Sequence, residues 1–105
     1  PAIKGFEQLE KDINNWTNET NNKFINDYVG NGYAKINKDL VDFVNEFNAR
    51  HNIPLDTIYN GKMMMGILDL VDKDFFPKGS SILVIHTGGL QGNKGMTERL
   101  GVKLP

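Results

Sequence analysis

The stretch SSILVIHTGGLQG, from Ser80 to Gly92, limits most strongly what this chain can fold into. Its first half, SILVIH, is a continuous apolar run rich in β-branched residues and free of lysine, arginine and carboxylates. Such a run predicts a strand covered on both faces, as in a parallel sheet. Its second half opens into glycines, at the point where an open α/β sheet leaves its ligand crevice. One segment therefore predicts both a fold class and the place of a site.

The flanking segments agree with that expectation. Phe6, Leu9, Ile13 and Trp16 recur at helical spacing. Asn18 to Asn22 reads as a turn, KFINDYV as a short strand and Asn31-Gly32 as a second turn. Asn37 is a suitable N-cap for a helix whose stripe is Leu40, Phe43, Val44 and Phe47. His51-Asn52 ends that helix and Pro54 forbids its continuation. IPLDTIYNGK reads as a brief strand and a loop, and KMMMGILDLVDK as a buried helix. Phe76 to Gly79 is a turn, and Met96 to Leu100 suits a last short helix. Strands alternating with helices predict an α/β unit: a three-layer, partial parallel sheet with flanking helices.

Composition removes several function classes. Twelve basic and 13 acidic residues leave a net charge of −1 with no basic cluster, so no nucleic-acid partner and no anionic membrane surface are expected. The chain has no cysteine, which rules out disulfides, thiolate metal sites and a cysteine nucleophile. No His/Asp/Glu grouping has metal-ligand spacing, so no metal site is expected. No apolar run reaches the roughly 18 residues of a spanning helix, and no signal peptide is visible, so a cytoplasmic protein is expected.

The residues by themselves leave the site open. Thr87 can present a hydroxyl to a ligand, with Gly88 and Gly89 allowing close backbone approach, or can simply end a strand before a tight turn. His86 reads as a structural histidine with satisfied ring nitrogens. Tyr33 and Tyr59 sit beside glycines in loops, where a phenol can bind a carboxylate, move a proton, or only pack. Lys62 follows Gly61; an amine there can form a Schiff base or pair with phosphate, or the residue can be a solvated surface lysine or a first-turn helix residue. Met63, Met64 and Met65 read as core filling.

The order and spacing of the motifs is more specific. IPLDTIYNGKMMMGILDLV followed by FPKGSSILVIHTGGLQG, with GNGYAKIN upstream, resembles the C-terminal part of the 1-aminocyclopropane-1-carboxylate deaminase and D-cysteine desulfhydrase family. That family carries a DPVY-x-GK element, a following helix and a strand ending H-[TL]-GG. It belongs to the tryptophan-synthase-β-like, fold type II pyridoxal-phosphate enzymes.

The resemblance implies that residues 1–105 are one α/β unit, the C-terminal part of the large cofactor-binding domain of a two-domain enzyme. The cofactor, pyridoxal 5′-phosphate, would belong to the full-length protein. The Schiff-base lysine, the substrate-carboxylate loop and the phosphate loop are expected upstream, and Lys62 does not stand in for that lysine. Tyr33 and Tyr59 would face the substrate as catalytic residues. Thr87 would reach the pyridine nitrogen as a donor and keep it neutral, Gly88 would line the ring, and Asn60 would join the cofactor-binding set.

Asn60 and Thr87 replace the glutamate and leucine that the resemblance implies for true cyclopropane deaminases, which favours a desulfhydrase-like β-elimination or another deaminase-like lyase reaction. The implied partners are a small amino-acid substrate, the remainder of the enzyme chain and a second copy in a homo-oligomer. The alternative reading is a self-contained, non-enzymatic α/β ligand-binding or interaction module.

Overall fold

The computed structural model describes residues 7–17, 23–25, 27–28 and 36–105. These form four helices in the order α1 (Glu7–Thr17), α2 (Lys38–His51), α3 (Asn60–Asp72) and α4 (Gln91–Leu100).

Helix α2 begins and ends where its side chains dictate. Asn37 is extended at φ −119°, and its Oδ1 accepts the Leu40 amide at 2.9 Å, satisfying a first-turn donor. At the other end Asn52 takes the left-handed conformation at φ 54° and donates its N–H to Asn48, closing the last turn two residues before Pro54. Leu40 and Val44 are buried with Leu55, and Phe43, Phe47, Met64 and Met65 pack around them. The core therefore lies between α2, α3 and the loop that joins them.

Gly61 sets how closely α3 approaches. A Cβ there would stand 2.6 Å from the Asp56 carbonyl oxygen and 2.8 Å from Val44 Cγ2, so only glycine lets the first turn of α3 sit on α2. Gly66 does the same for the ring of Tyr28, whose hydroxyl also donates to Asp69 farther along α3. Helix α1 remains peripheral, with Leu9 and Trp16 exposed.

The three-layer parallel sheet is not found: the described residues contain no strand, and the fold-class expectation is corrected to an all-helical one. The SILVIH run carries no regular structure. Leu83 is 87% and Ile85 66% exposed, and among the described residues no backbone–backbone hydrogen bond involves positions 81–87. The physical reason is that β-branched residues favour a pleated surface only where a neighbour supplies the ladder and the cover. The other two predicted strands do not supply one. Residues 23–25 and 53–56 are irregular, and Asp27 and Tyr28 form a turn. Phe6, the segment Asn18 to Asn22, Asn26, Val29 and the Asn31-Gly32 turn lie outside the described residues.

The helical expectations fare better, with two differences. Helix α4 begins at Gln91 rather than at the expected Met96. The KMMMGILDLVDK segment is helical, yet Leu68 and Val71 are exposed, so α3 has one packed side rather than burial all round.

Leu55 is fully buried at the centre of this core. Leu55→Ala is expected to lower unfolding stability by about 3 kcal/mol in urea titrations.

Candidate functional site

The loop between α2 and α3 and the turn before α4 meet at one carboxylate. Asp56 Oδ2 accepts the amides of Ile58 at 3.0 Å and Tyr59 at 2.7 Å. Its Oδ1 accepts the Asn60 amide at 3.0 Å and the Asn60 Nδ2 at 2.7 Å. The residue before α3, Tyr59, makes no side-chain cap, so Asp56 satisfies the orphan amides of this helix start. Its negative charge also sits at the positive end of the helix dipole.

Asn60 carries the network across to the glycine turn. Its Nδ2 also donates to the Gly88 carbonyl at 2.8 Å, and its Oδ1 accepts both the Thr87 amide and the Thr87 hydroxyl at 3.2 Å. Asn60 is 2% exposed, and both ends of its amide are engaged. The glycine turn is shaped to fit. Gly88 and Gly89 both have φ 89°, a conformation that favours glycine. A Cβ on Gly89 would also stand 3.2 Å from the Asp56 carboxylate carbon.

His86 behaves as the structural histidine expected. Its Nε2 lies 2.9 Å from the Pro54 carbonyl and its Nδ1 accepts the Gly88 amide at 3.0 Å, which assigns the proton to Nε2. Asn93 on α4 completes the frame. Its Oδ1 accepts the Thr57 amide at 3.1 Å and its Nδ2 donates to the Leu55 carbonyl at 3.0 Å.

Beside this frame lies a cavity of about 360 Å³, with Tyr28, Tyr59, Asn60, Lys62 and Thr87 facing a largely apolar α3 wall. The structure thus brings Tyr59, Asn60 and Thr87 to one cavity and ties Gly88 to it through Asn60. Tyr33 lies outside the described residues. Lys62 is a first-turn residue of α3, one of the two plain readings of the sequence, and not the solvated surface lysine of the other. It is 6% exposed, and burial lowers its amine pKa below the ordinary value of 10.5.

Asp56 and Asn93 were not singled out from the sequence. Asp56 had a usable signal, an aspartate just ahead of an apolar helix start, which is a capping pattern. Asn93 had none, because its partners are 36 and 38 positions away. Among the described residues no group of His, Asp and Glu could hold a metal ion, and no helix is long and apolar enough to cross a membrane.

Comparison with known proteins finds several relatives. The bifunctional D-cysteine desulfhydrase/1-aminocyclopropane-1-carboxylate deaminase of Arabidopsis thaliana, named as mitochondrial, is 38% identical over 71 residues, 65% of this chain and 17% of that protein. The 1-aminocyclopropane-1-carboxylate deaminase of Allorhizobium ampelinum is 34% identical over 65 residues, 62% of this chain and 19% of that protein. That of Mesorhizobium japonicum is 35% identical over 65 residues, with the same coverage of 62% and 19%. The chain is homologous to these deaminases and desulfhydrases. It spans about one fifth of the length of the curated relatives it matches. No family profile matches the chain, and no solved structure matches it.

The buried amine of Lys62 makes stability depend on pH in a defined direction. Its pKa is lower folded than unfolded, so between the folded value and 10.5 the unfolded chain binds more protons and stability rises with pH. Below the folded value the penalty of burying the charge is constant. The parent is therefore expected to gain stability relative to Lys62→Met as pH rises toward 10.5. Urea midpoints of the two proteins across alkaline pH measure it.

Proposed function

We propose that this chain is a part of a pyridoxal-phosphate-dependent lyase or deaminase that acts on a small amino acid, with D-cysteine-type β-elimination favoured over cyclopropane ring opening. The observation that carries the reading is the meeting of Tyr59, Asn60 and Thr87 at one cavity in a chain homologous to both enzyme types. Asn60 and Thr87 occupy the two positions at which the family resemblance implies glutamate and leucine for the ring-opening enzymes.

The cavity suits the ring end of the cofactor. It offers about 360 Å³, apolar walls, a threonine hydroxyl and a glycine turn whose first member has open space around it. The cofactor, when bound, supplies an electron sink for the substrate α-carbon. In this reading Thr87 meets the ring, Asn60 and Gly88 hold Thr87 in place, and Tyr59 and Tyr33 orient the substrate and move its protons. The Schiff-base lysine and the phosphate-binding loop belong to the rest of the protein, so the isolated chain is inactive. A small amino-acid substrate and a cytoplasmic location are parts of the same proposal.

A protein containing this chain and the upstream region of its relatives is expected to release keto acid from D-cysteine faster than from the cyclopropane amino acid. Thr87→Leu is expected to reduce that rate at least about tenfold, since one hydrogen bond to a charged or reacting group is worth that much. Faster release from the cyclopropane amino acid, or no release from either, overturns the proposal.

The partner in this reading is the remainder of the enzyme, or a second copy, covering the exposed Ile82–Ile85 run. Support comes from its exposed apolar side chains and from backbone groups left without backbone partners among the described residues. The isolated chain is expected to self-associate. Light scattering that finds a monomer at high concentration contradicts it.

A further inference from the structure

We infer that Tyr28 is a positioning residue: seated on Gly66 and bound to Asp69, it latches residues 23–28 against α3 as one wall of the cavity and so gates access to it. The inference rests on the reading of this cavity as a ligand site.

The cavity follows α3 from Asn60 past Met63, Gly66 and Ile67 to Leu70, roughly 15 Å of helix. Tyr59, Asn60 and Thr87 gather at the helix start. Ile25 and Tyr28 supply a further part of the lining. They belong to a segment without helix or strand: residues 23–25 are irregular, and Asp27 and Tyr28 form a turn. Side chains at both ends of this segment tie it down. Lys23 Nζ lies 4.8 Å from the centroid of the Phe75 ring, just beyond the end of α3. The Tyr28 hydroxyl donates to Asp69 Oδ2 at 2.5 Å.

The chemistry of the second tie suits a latch. Hydrogen bonds from Lys73, at 2.8 Å, and from Tyr28 hold the Asp69 pKa below its ordinary 3.8, so the acceptor is charged at neutral pH. The same bond raises the Tyr28 phenol above 10.0, so Tyr28 keeps the proton it donates. The ring is fitted against helix backbone. A Cβ on Gly66 would stand 2.8 Å from Tyr28 Cδ2 and 2.9 Å from its Cγ. Glycine inside a helix costs stability relative to alanine, and what it provides here is the seat of that ring. Releasing one ring and one hydroxyl frees the wall at Ile25 and Tyr28. The Leu40, Val44 and Leu55 core involves neither residue and stays packed.

The test uses the full-length protein, this chain with the upstream region of its relatives, and needs no turnover. The chain has no cysteine, so Ile67→Cys places its one thiol at the cavity. Alkylation by iodoacetamide is timed and mapped by peptide mass. Met63→Cys, on the same wall, repeats the measurement if the first variant does not fold, and Val44→Cys in the core reports global opening. Tyr28→Phe is expected to speed labelling at position 67 about fivefold, the loss of roughly one hydrogen bond, with labelling at position 44 unchanged. Gly66→Ala should also speed it, although alanine favours the helix. In a Tyr28→Ala background Gly66→Ala should add nothing, because the ring it displaces is gone.

Labelling at position 67 that neither Tyr28→Phe nor Gly66→Ala changes overturns the inference. So does labelling at position 44 that rises as much as at 67, which makes Tyr28 a general stabiliser. An undiminished effect of Gly66→Ala without the Tyr28 ring overturns it as well. The labelling decides the matter whether or not the enzyme releases keto acid, so failure here and failure of the functional reading are told apart.

Discussion

The arrangement depends on the filled coordination of the Asp56 carboxylate. It is buried, and its two oxygens accept three backbone amides and one side-chain amide. Removing it would leave those donors buried and unpaired, which costs more than the bonds contribute when made. Each bond also constrains a different segment. The backbone amides start α3 at Asn60 and turn the preceding loop back beneath it. The Asn60 side chain then passes the constraint to Gly88 and Thr87, nearly thirty positions along. Helix start, glycine turn and cavity edge are thus three consequences of one buried charge.

Around that charge the glycines serve close packing and backbone shape. Gly61 admits the Asp56 carbonyl and the Val44 methyl where a Cβ would collide. Gly89 leaves room for the Asp56 carboxylate, and the positive φ of Gly88 turns its carbonyl to Asn60. The pair therefore shapes the turn through which Asn60 and Asp56 meet residues 87–89. His86 supports the same turn from the other side, with both ring nitrogens occupied by backbone partners.

The packing is uneven. Leu55, Leu40 and Val44 form a small dry centre, whereas Trp16, Leu83 and Ile85 stand in solvent. Exposed apolar surface of this kind marks an interaction surface more often than a finished exterior. That agrees with a chain matching only about one fifth of its curated relatives' length.

Local features were legible in the sequence because their partners are near in the chain. Asn37 as a cap, the Leu40-Phe43-Val44-Phe47 stripe, the stop at Asn52 and Pro54, and the helix after Gly61 each involve residues within about one or two helical turns. The motif order around Tyr59, Asn60 and Thr87 carried the resemblance to the deaminase and desulfhydrase family, and homology agrees with it. The strand reading of Ile82 to Ile85 failed because a strand exists only with a neighbour, and no pattern within the run supplies one. The place of Lys62 in a first helical turn was legible, but its burial was not, because the cavity and the packing of α3 enclose it. The setting of Thr87 is the clearest case. The sequence determined that a hydroxyl stands before two glycines. Only the tertiary structure decided what it meets, because its partner is the Asn60 side chain, 27 positions away and itself held by the buried Asp56 carboxylate.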